Sequence, residues 1–169
     1  MKVINLFGGP CTGKSTIAAG LFHEMKMKGY NIELVTEYAK DMTWEERGNI
    51  LADPLYILAK QHRRISRLKG KVDYIITDSP LLLGLAYISD DYYKNCKPLL
   101  LEIFSSYDNY NFMLTRPETY SEIGRNQTLE EAKLIDDAVT NVLTDNDVDY
   151  KQLPVPMSKI LSIVLSETT

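Results

Sequence analysis

The chain has 169 residues, 44% of them hydrophobic and 25% charged, with a net charge of −4. Such values describe one ordinary globular domain with enough chain for a core, and they argue against a general nucleic-acid binder. No apolar run reaches membrane-spanning length, Gly8 and Gly9 interrupt any secretory leader, and Cys11 and Cys96 form no disulfide framework, so a cytoplasmic protein is expected.

Residues 3–7 read as a buried strand, and 14–28 as a helix that Gly29 can end. A second strand over 32–36 runs into Glu37 and Tyr38, and a polar stretch follows around 44–49. Asp53 before Pro54 is an N-cap with proline at the first helical position, opening a helix to about Lys69. A third strand over 74–77 ends at Asp78-Ser79-Pro80. Residues 81–88 and 98–107 suit helices, 111–115 a fourth strand ending at Arg116, and 128–144 a helix with Thr128 and Glu131 in capping-box spacing. A fifth strand over 149–153 and a helix over 157–166 close the chain. The alternation predicts an α/β fold with a parallel sheet covered on both faces. In such sheets ligands collect beyond the C-terminal strand ends, where Gly8 to Ser15, Glu37, Asp78 and Arg116 all fall.

The segment Gly8-Gly9-Pro10-Cys11-Thr12-Gly13-Lys14-Ser15 matches G-x-x-x-x-G-K-[ST] between a strand and a helix, with Thr16 next inside the helix. Its glycines let backbone N–H groups curl around an anion, and the helix N-terminus adds positive charge. Lys14 would reach the β- and γ-phosphates of ATP, and Ser15 would ligate Mg²⁺. The strand Tyr74-Ile75-Ile76-Thr77, ending in Asp78, has the Walker B form, with the carboxylate on the metal.

No guanine-reading Asn-Lys-x-Asp occurs, which excludes a GTPase switch of that kind. An AAA-type motor would need room for a helical lid domain. A small kinase needs an acceptor pocket, a base and an arginine-bearing lid. Arg116 and Arg125 bracket a polar segment with Pro117 and Gly124 as hinges, the lid expected over about 116–127. Two solvated surface arginines are the plainer alternative. Glu37 and Asp78 compete as general base. His23 and His62 fall within helices with no partner suggested.

These motifs resemble the ribosylnicotinamide kinase domain of the bacterial NAD-biosynthesis regulator and related small P-loop kinases of phages. The resemblance covers nearly the whole chain: the phosphate loop, "VTEYAKD", "AKQHRRI", "IITDSP" and "EIGRNQTLEEAKLIDDAV". It implies a five-stranded sheet of order 2-3-1-4-5 and transfer of phosphate from ATP to a nucleoside-like hydroxyl. It places Glu37 and Tyr38, with Gln61, Arg63 and Arg64, at the acceptor, Asp78 near the metal and Arg125 in the lid. Some of the phage relatives are 5-hydroxymethyluracil DNA kinases, and "GRNQTLEEA" looks more like the phage members. The acceptor stays open between a free nucleoside or nucleotide and a hydroxymethylated base in DNA. An ATP-dependent regulatory module with little turnover is the alternative from another class. Oligomeric state, a dimer included, is left open.

Lys60, Arg63, Arg64, Arg67 and Lys71 recur on one helical face, and 60–71 holds six Lys or Arg with no acid. Either a solvated cationic face or a surface that steers an anionic acceptor fits that pattern. Tyr38, Trp44 and Tyr56 are candidates for stacking on an acceptor base or for the core.

Overall fold

In the computed structural model, residues 1–89, 91–120, 127–153 and 157–168 are described. The elements run β1 (Lys2–Phe7), α1 (Lys14–Met27), β2 (Ile32–Val35), α2 (Tyr38–Trp44), α3 (Gly48–Leu51), α4 (Pro54–Ser66) and β3 (Tyr74–Thr77). A 3₁₀ helix (Leu81–Tyr87) follows, then α5 (Cys96–Ser105), β4 (Asp108–Leu114), α6 (Leu129–Thr144), β5 (Lys151–Leu153) and α7 (Met157–Thr168). The strands form one parallel sheet of order β2-β3-β1-β4-β5, as the resemblance implies.

Strand alternation splits the core between the two faces. Ile4 and Leu6 of β1 pack with Phe112 and Leu114 of β4 beneath Ile17, Leu21 and Met25 of α1 and Val164 of α7. Phe7 and Met113 point to the opposite face, against Leu82, Leu100, Phe104, Val139 and Leu143. Asn5 is buried at 1% exposure in the central strand. Its Nδ2 donates to Asn109 Oδ1 and Asn111 Oδ1, both at 2.9 Å, so the polar side chains tie β1 to β4. No helix among the described residues is long and apolar enough to cross a membrane.

Helix ends follow local chemistry. Gly29, at φ 84°, ends α1 in a Schellman motif: Tyr30 N donates to Met25 O at 3.1 Å and Gly29 N to Lys26 O at 3.0 Å. Asp53 caps α4 through Tyr56 N, and Thr128 with Glu131 closes a capping box on α6.

Differences from the predicted elements have physical causes. Residues 81–87 wind as a 3₁₀ helix with Leu81, Leu82 and Leu83 all buried, so it is packed on more than one side. Strand β4 begins at Asp108 because Asn109 and Asn111, polar in sequence, spend their side chains inside the sheet. Helix α5 starts two residues ahead of Pro98, whose missing N–H costs nothing in a first turn. Two short helices, α2 and α3, occupy ground where only a polar stretch is expected.

Candidate active site

The phosphate loop leaves β1 at Gly8, whose φ of 139° suits only glycine, and a Cβ there would lie 2.6 Å from Thr12 Oγ1. Cys11 is left-handed at φ 65°, a conformation that costs a side-chain-bearing residue about 1 kcal/mol. Two donors converge on the Gly9 carbonyl: Lys14 Nζ at 2.7 Å and the buried Thr12 Oγ1 at 3.0 Å. Gly13, at φ 89°, takes the N-cap of α1 without a side-chain capping bond. The first-turn amides of α1 are therefore the donors an anion would take up.

A cavity of about 280 Å³ opens from this loop. Lys14, Ser15 and Thr16 line one end, and Glu37, Lys40 and Thr43 line another side. Leu51, Ile57, Leu58, Leu83 and Tyr87 form an apolar wall, and Ser79 and Gln127 add polar groups. The fold thus brings the loop and Glu37 into one chamber. Glu37 stands at the N-cap of α2, yet its side chain makes no capping bond.

The turn that carries Glu37 is fastened from α4. Gln61, at 4% exposure, accepts from Tyr38 N at 2.9 Å and donates Nε2 to Thr36 O at 3.3 Å. Arg64 donates Nη1 to Thr36 O and Oγ1, both at 3.1 Å, pairs with Asp41 through Nη2, and lies 5.2 Å over the Tyr38 ring. Neither Gln61 nor Arg64, both expected at the acceptor, lines the cavity, and their polar atoms bond to the β2–α2 turn. Tyr38 packs beside Tyr56, centroids 6.1 Å apart, outside the cavity lining. Their shared hydroxyl hydrogen bond raises the Tyr38 phenol and lowers that of Tyr56, which Lys60 lowers further.

Lys60 and Arg63 are exposed on α4, as are Arg67 at its C-cap and Lys71 in the turn beyond; the helix ends at Ser66, short of the expected Lys69, so Lys71 lies off its face. Tyr56 and Trp44 are exposed at 40% and 61%. His62 points elsewhere: its Nε2 is 3.4 Å from the Tyr107 hydroxyl, and burial holds the imidazole below its ordinary value of 6.5.

Asp78 is buried at 4% exposure just past β3, and its Oδ1 has no hydrogen-bond partner. A solitary buried carboxylate oxygen at the strand end beside β1 suits a cation. Among the described residues no three His, Cys, Asp or Glu side chains cluster to cage a metal by themselves. Asp78 does not line the cavity, whereas Ser79 does.

Arg116, expected over the transferring phosphate, is bonded to α6 and to the phosphate loop itself. Its Nε donates to Asp136 Oδ2 at 2.6 Å, Nη1 to Pro10 O at 2.6 Å and Nη2 to Ala132 O at 3.1 Å. Every guanidinium nitrogen is engaged in joining β4, α6 and the phosphate loop. Asp136 also accepts from Gly9 N at 2.7 Å, a contact that nothing in the acid-rich sequence around it signals. Arg125, Gly124 and most of the lid expected over 116–127 lie outside the described residues.

A family model described as an AAA domain matches residues 3–158. The fold is similar to a solved structure of NadR protein in complex with NAD and AMP-PNP, at 16% identity and TM-score 0.76 over 99% of this chain. The chain spans about half of that one, 49%. It is also similar to thymidylate kinase from Ehrlichia chaffeensis, at 14% identity and TM-score 0.63, covering 99% of this chain and 98% of that one. A third similar structure is deoxyadenosine kinase from M. mycoides with bound dATP, at 16% identity and TM-score 0.56, with 99% and 98% covered. No curated protein matches. The NadR match agrees with the resemblance read from the motifs, and the fold is that of P-loop nucleotide kinases.

Proposed function

The chain belongs to the AAA-domain family, and from that premise we propose an ATP-dependent kinase that phosphorylates a hydroxyl of a nucleoside-like acceptor. The family name alone would also suit an ATPase with no second substrate. What favours a kinase is the cavity of about 280 Å³, which joins the phosphate loop to Glu37 and an apolar wall. An ATPase needs no such chamber, whereas a flat heteroaromatic acceptor needs apolar walls with a few convergent polar groups. The similar kinase structures support the same reading.

In this reading residues 1–169 act as one kinase domain in the cytoplasm, and Gly8, Gly9, Pro10, Cys11, Thr12, Gly13, Lys14, Ser15 and Thr16 receive ATP. Ser15 and the orphaned Asp78 Oδ1 are the protein groups that hold Mg²⁺, which when bound neutralises charge on the phosphates. Glu37 is the general base, since it lines the chamber and Asp78 does not. Gln61 and Arg64 act on the acceptor indirectly, through the turn that aims Glu37.

A nucleoside presented by a DNA strand, such as a 5-hydroxymethylpyrimidine of phage DNA, is a second form of the acceptor. The observation that favours it is the exposed group of Lys60, Arg63, Arg67 and Lys71 with Tyr56 and Trp44 exposed on neighbouring surface. Transfer of γ-labelled phosphate from ATP to a panel of ribosylnicotinamide, deoxynucleosides, deoxynucleotides, plain DNA and 5-hydroxymethyluracil DNA tests both. Label on a free nucleoside or nucleotide supports the first form, and label on the modified DNA alone supports the second. Tight ATP binding with label on none of them overturns the kinase in favour of a regulatory module.

A further inference from the structure

We propose that Asp136 is a positioning residue of the phosphate loop, holding the Gly9–Pro10 peptide in the shape that receives a triphosphate. The proposal rests on the reading of this loop as an ATP site and adds a residue from α6, more than a hundred positions away in sequence.

The Gly9–Pro10 segment is fixed at each of its polar atoms. Asp136 Oδ1 takes the Gly9 N–H at 2.7 Å, and Arg116 Nη1 takes the Pro10 carbonyl at 2.6 Å. Thr12 Oγ1 and Lys14 Nζ occupy the Gly9 carbonyl between them. Asp136 Oδ2 meets Arg116 Nε at 2.6 Å, so one carboxylate binds the loop directly and orients the guanidinium that binds its next residue. Both side chains are largely buried, at 12% exposure for Arg116 and 20% for Asp136, and Arg116 also lies 5.8 Å over the Tyr120 ring. Charge-assisted bonds shielded from water in this way are stronger than neutral ones at the surface.

The approach is as close as the backbones allow. A Cβ on Gly9 would stand 2.7 Å from Asp136 Oδ1 and 2.8 Å from the backbone oxygen of Ala132, so the contact requires glycine in the loop. A carboxylate is an unexpected neighbour for a polyphosphate, since like charges repel. Arg116 cancels its charge, and this explains why the arginine is drawn behind the loop instead of over the cavity. The Asp136 carboxylate then acts as a template for the loop and adds no net repulsion.

Calorimetric titration with Mg·AMP-PNP tests the assignment on wild type, Asp136→Ala, Asp136→Asn and Arg116→Lys, alongside each variant's melting temperature. Asp136→Ala loses a charged acceptor and is expected to weaken binding roughly tenfold to a hundredfold. Asp136→Asn keeps an oxygen for Gly9 N–H and should lie nearer to wild type. Amide exchange should accelerate at Gly9 and Cys11 in Asp136→Ala while the β1 amides of Ile4 and Leu6 keep their protection, a pattern that a general loss of stability would not give. Wild-type binding matched within twofold by Asp136→Ala, or exchange that rises equally in loop and strand, overturns the proposal and leaves the kinase reading intact. Wild-type protein that binds no AMP-PNP overturns both. Should Asp136→Ala fail to fold, Arg116→Lys carries the titration: it is expected to bind at least threefold more weakly, and binding within twofold of wild type overturns the proposal.

Discussion

Glu37 and Asp78 stand just past the ends of neighbouring strands, and their surroundings separate them. One lines the chamber beside the loop, and the other is buried with an unpaired oxygen. Glu37→Gln should lower kcat roughly a hundredfold or more while leaving the affinity for Mg·ATP within a few-fold, as expected for loss of a base. Asp78→Asn should instead raise the Mg²⁺ concentration needed for half-maximal transfer by roughly tenfold or more, read from a metal titration at fixed ATP. Exchanged phenotypes would exchange the roles. His62 carries a prediction of a different kind. Burial lowers its pKa in the folded chain, so the unfolded chain binds the proton more readily. Its contribution is full above the unfolded value of about 6.5 and is lost as pH falls below it. Between pH 7.5 and 5.5 the melting temperature should fall less for His62→Gln than for wild type. At this scale the motif residues Lys14, Ser15 and Asp78 are legible because their chemistry is tied to fixed spacing. Asp136 is not, because its partner Gly9 N–H belongs to the backbone and is brought near only by tertiary structure.

At the scale of elements, the acceptor side depends on how β2 hands over to α2. Gln61 is the central fastener, with one side-chain bond on each flank of Glu37. Gln61→Leu keeps the volume but orphans Tyr38 N, an unmet polar group worth about 1–3 kcal/mol if it stays dry, and leaves Thr36 O to Arg64 alone. The KM for the acceptor should rise at least tenfold with the KM for ATP nearly unchanged, because the phosphate loop lies on another strand. Steady-state kinetics with each substrate varied in turn checks this. The "AKQHRRI" stretch is legible as one helix, whereas the bonds of Gln61 and Arg64 to the β2–α2 turn are not. A helix read alone shows which side chains share a face, not which backbone groups need partners across the gap. The same limit hides the asparagine ladder: Asn5, Asn109 and Asn111 look like loop residues until β1 and β4 pair. Capping, by contrast, is local, and Asp53 and Thr128 were readable for that reason.

For the whole molecule, strand and helix alternation sufficed for the α/β class, since parallel strands with helical crossovers leave few arrangements, and the strand order came with the resemblance. Cavity and charge distribution required the assembled chain. Cations that form one stripe in sequence divide in the structure, Arg64 turning in toward Asp41 while Lys60, Arg63 and Arg67 stay in solvent. If these three meet the backbone of a single-stranded polynucleotide, binding should weaken roughly tenfold or more between 50 and 200 mM salt. Binding of a free nucleoside should change little over that range. Fluorescence anisotropy with a labelled oligonucleotide at four salt concentrations gives the slope.

Helix α1 starts at Gly13 with no side chain to cap it, whereas Asp53 and Thr128 cap theirs. If a nucleotide binds the loop as proposed, its phosphate takes the place of the missing cap, and nucleotide occupancy and folding are linked by mass action. At a ligand concentration of 100 times Kd that linkage adds about 2.7 kcal/mol to the native state. Such a chain outlasts proteolysis where ATP is plentiful and becomes vulnerable where it is scarce. Its abundance would then follow the energy supply of the cell through folding itself, with no dedicated regulator.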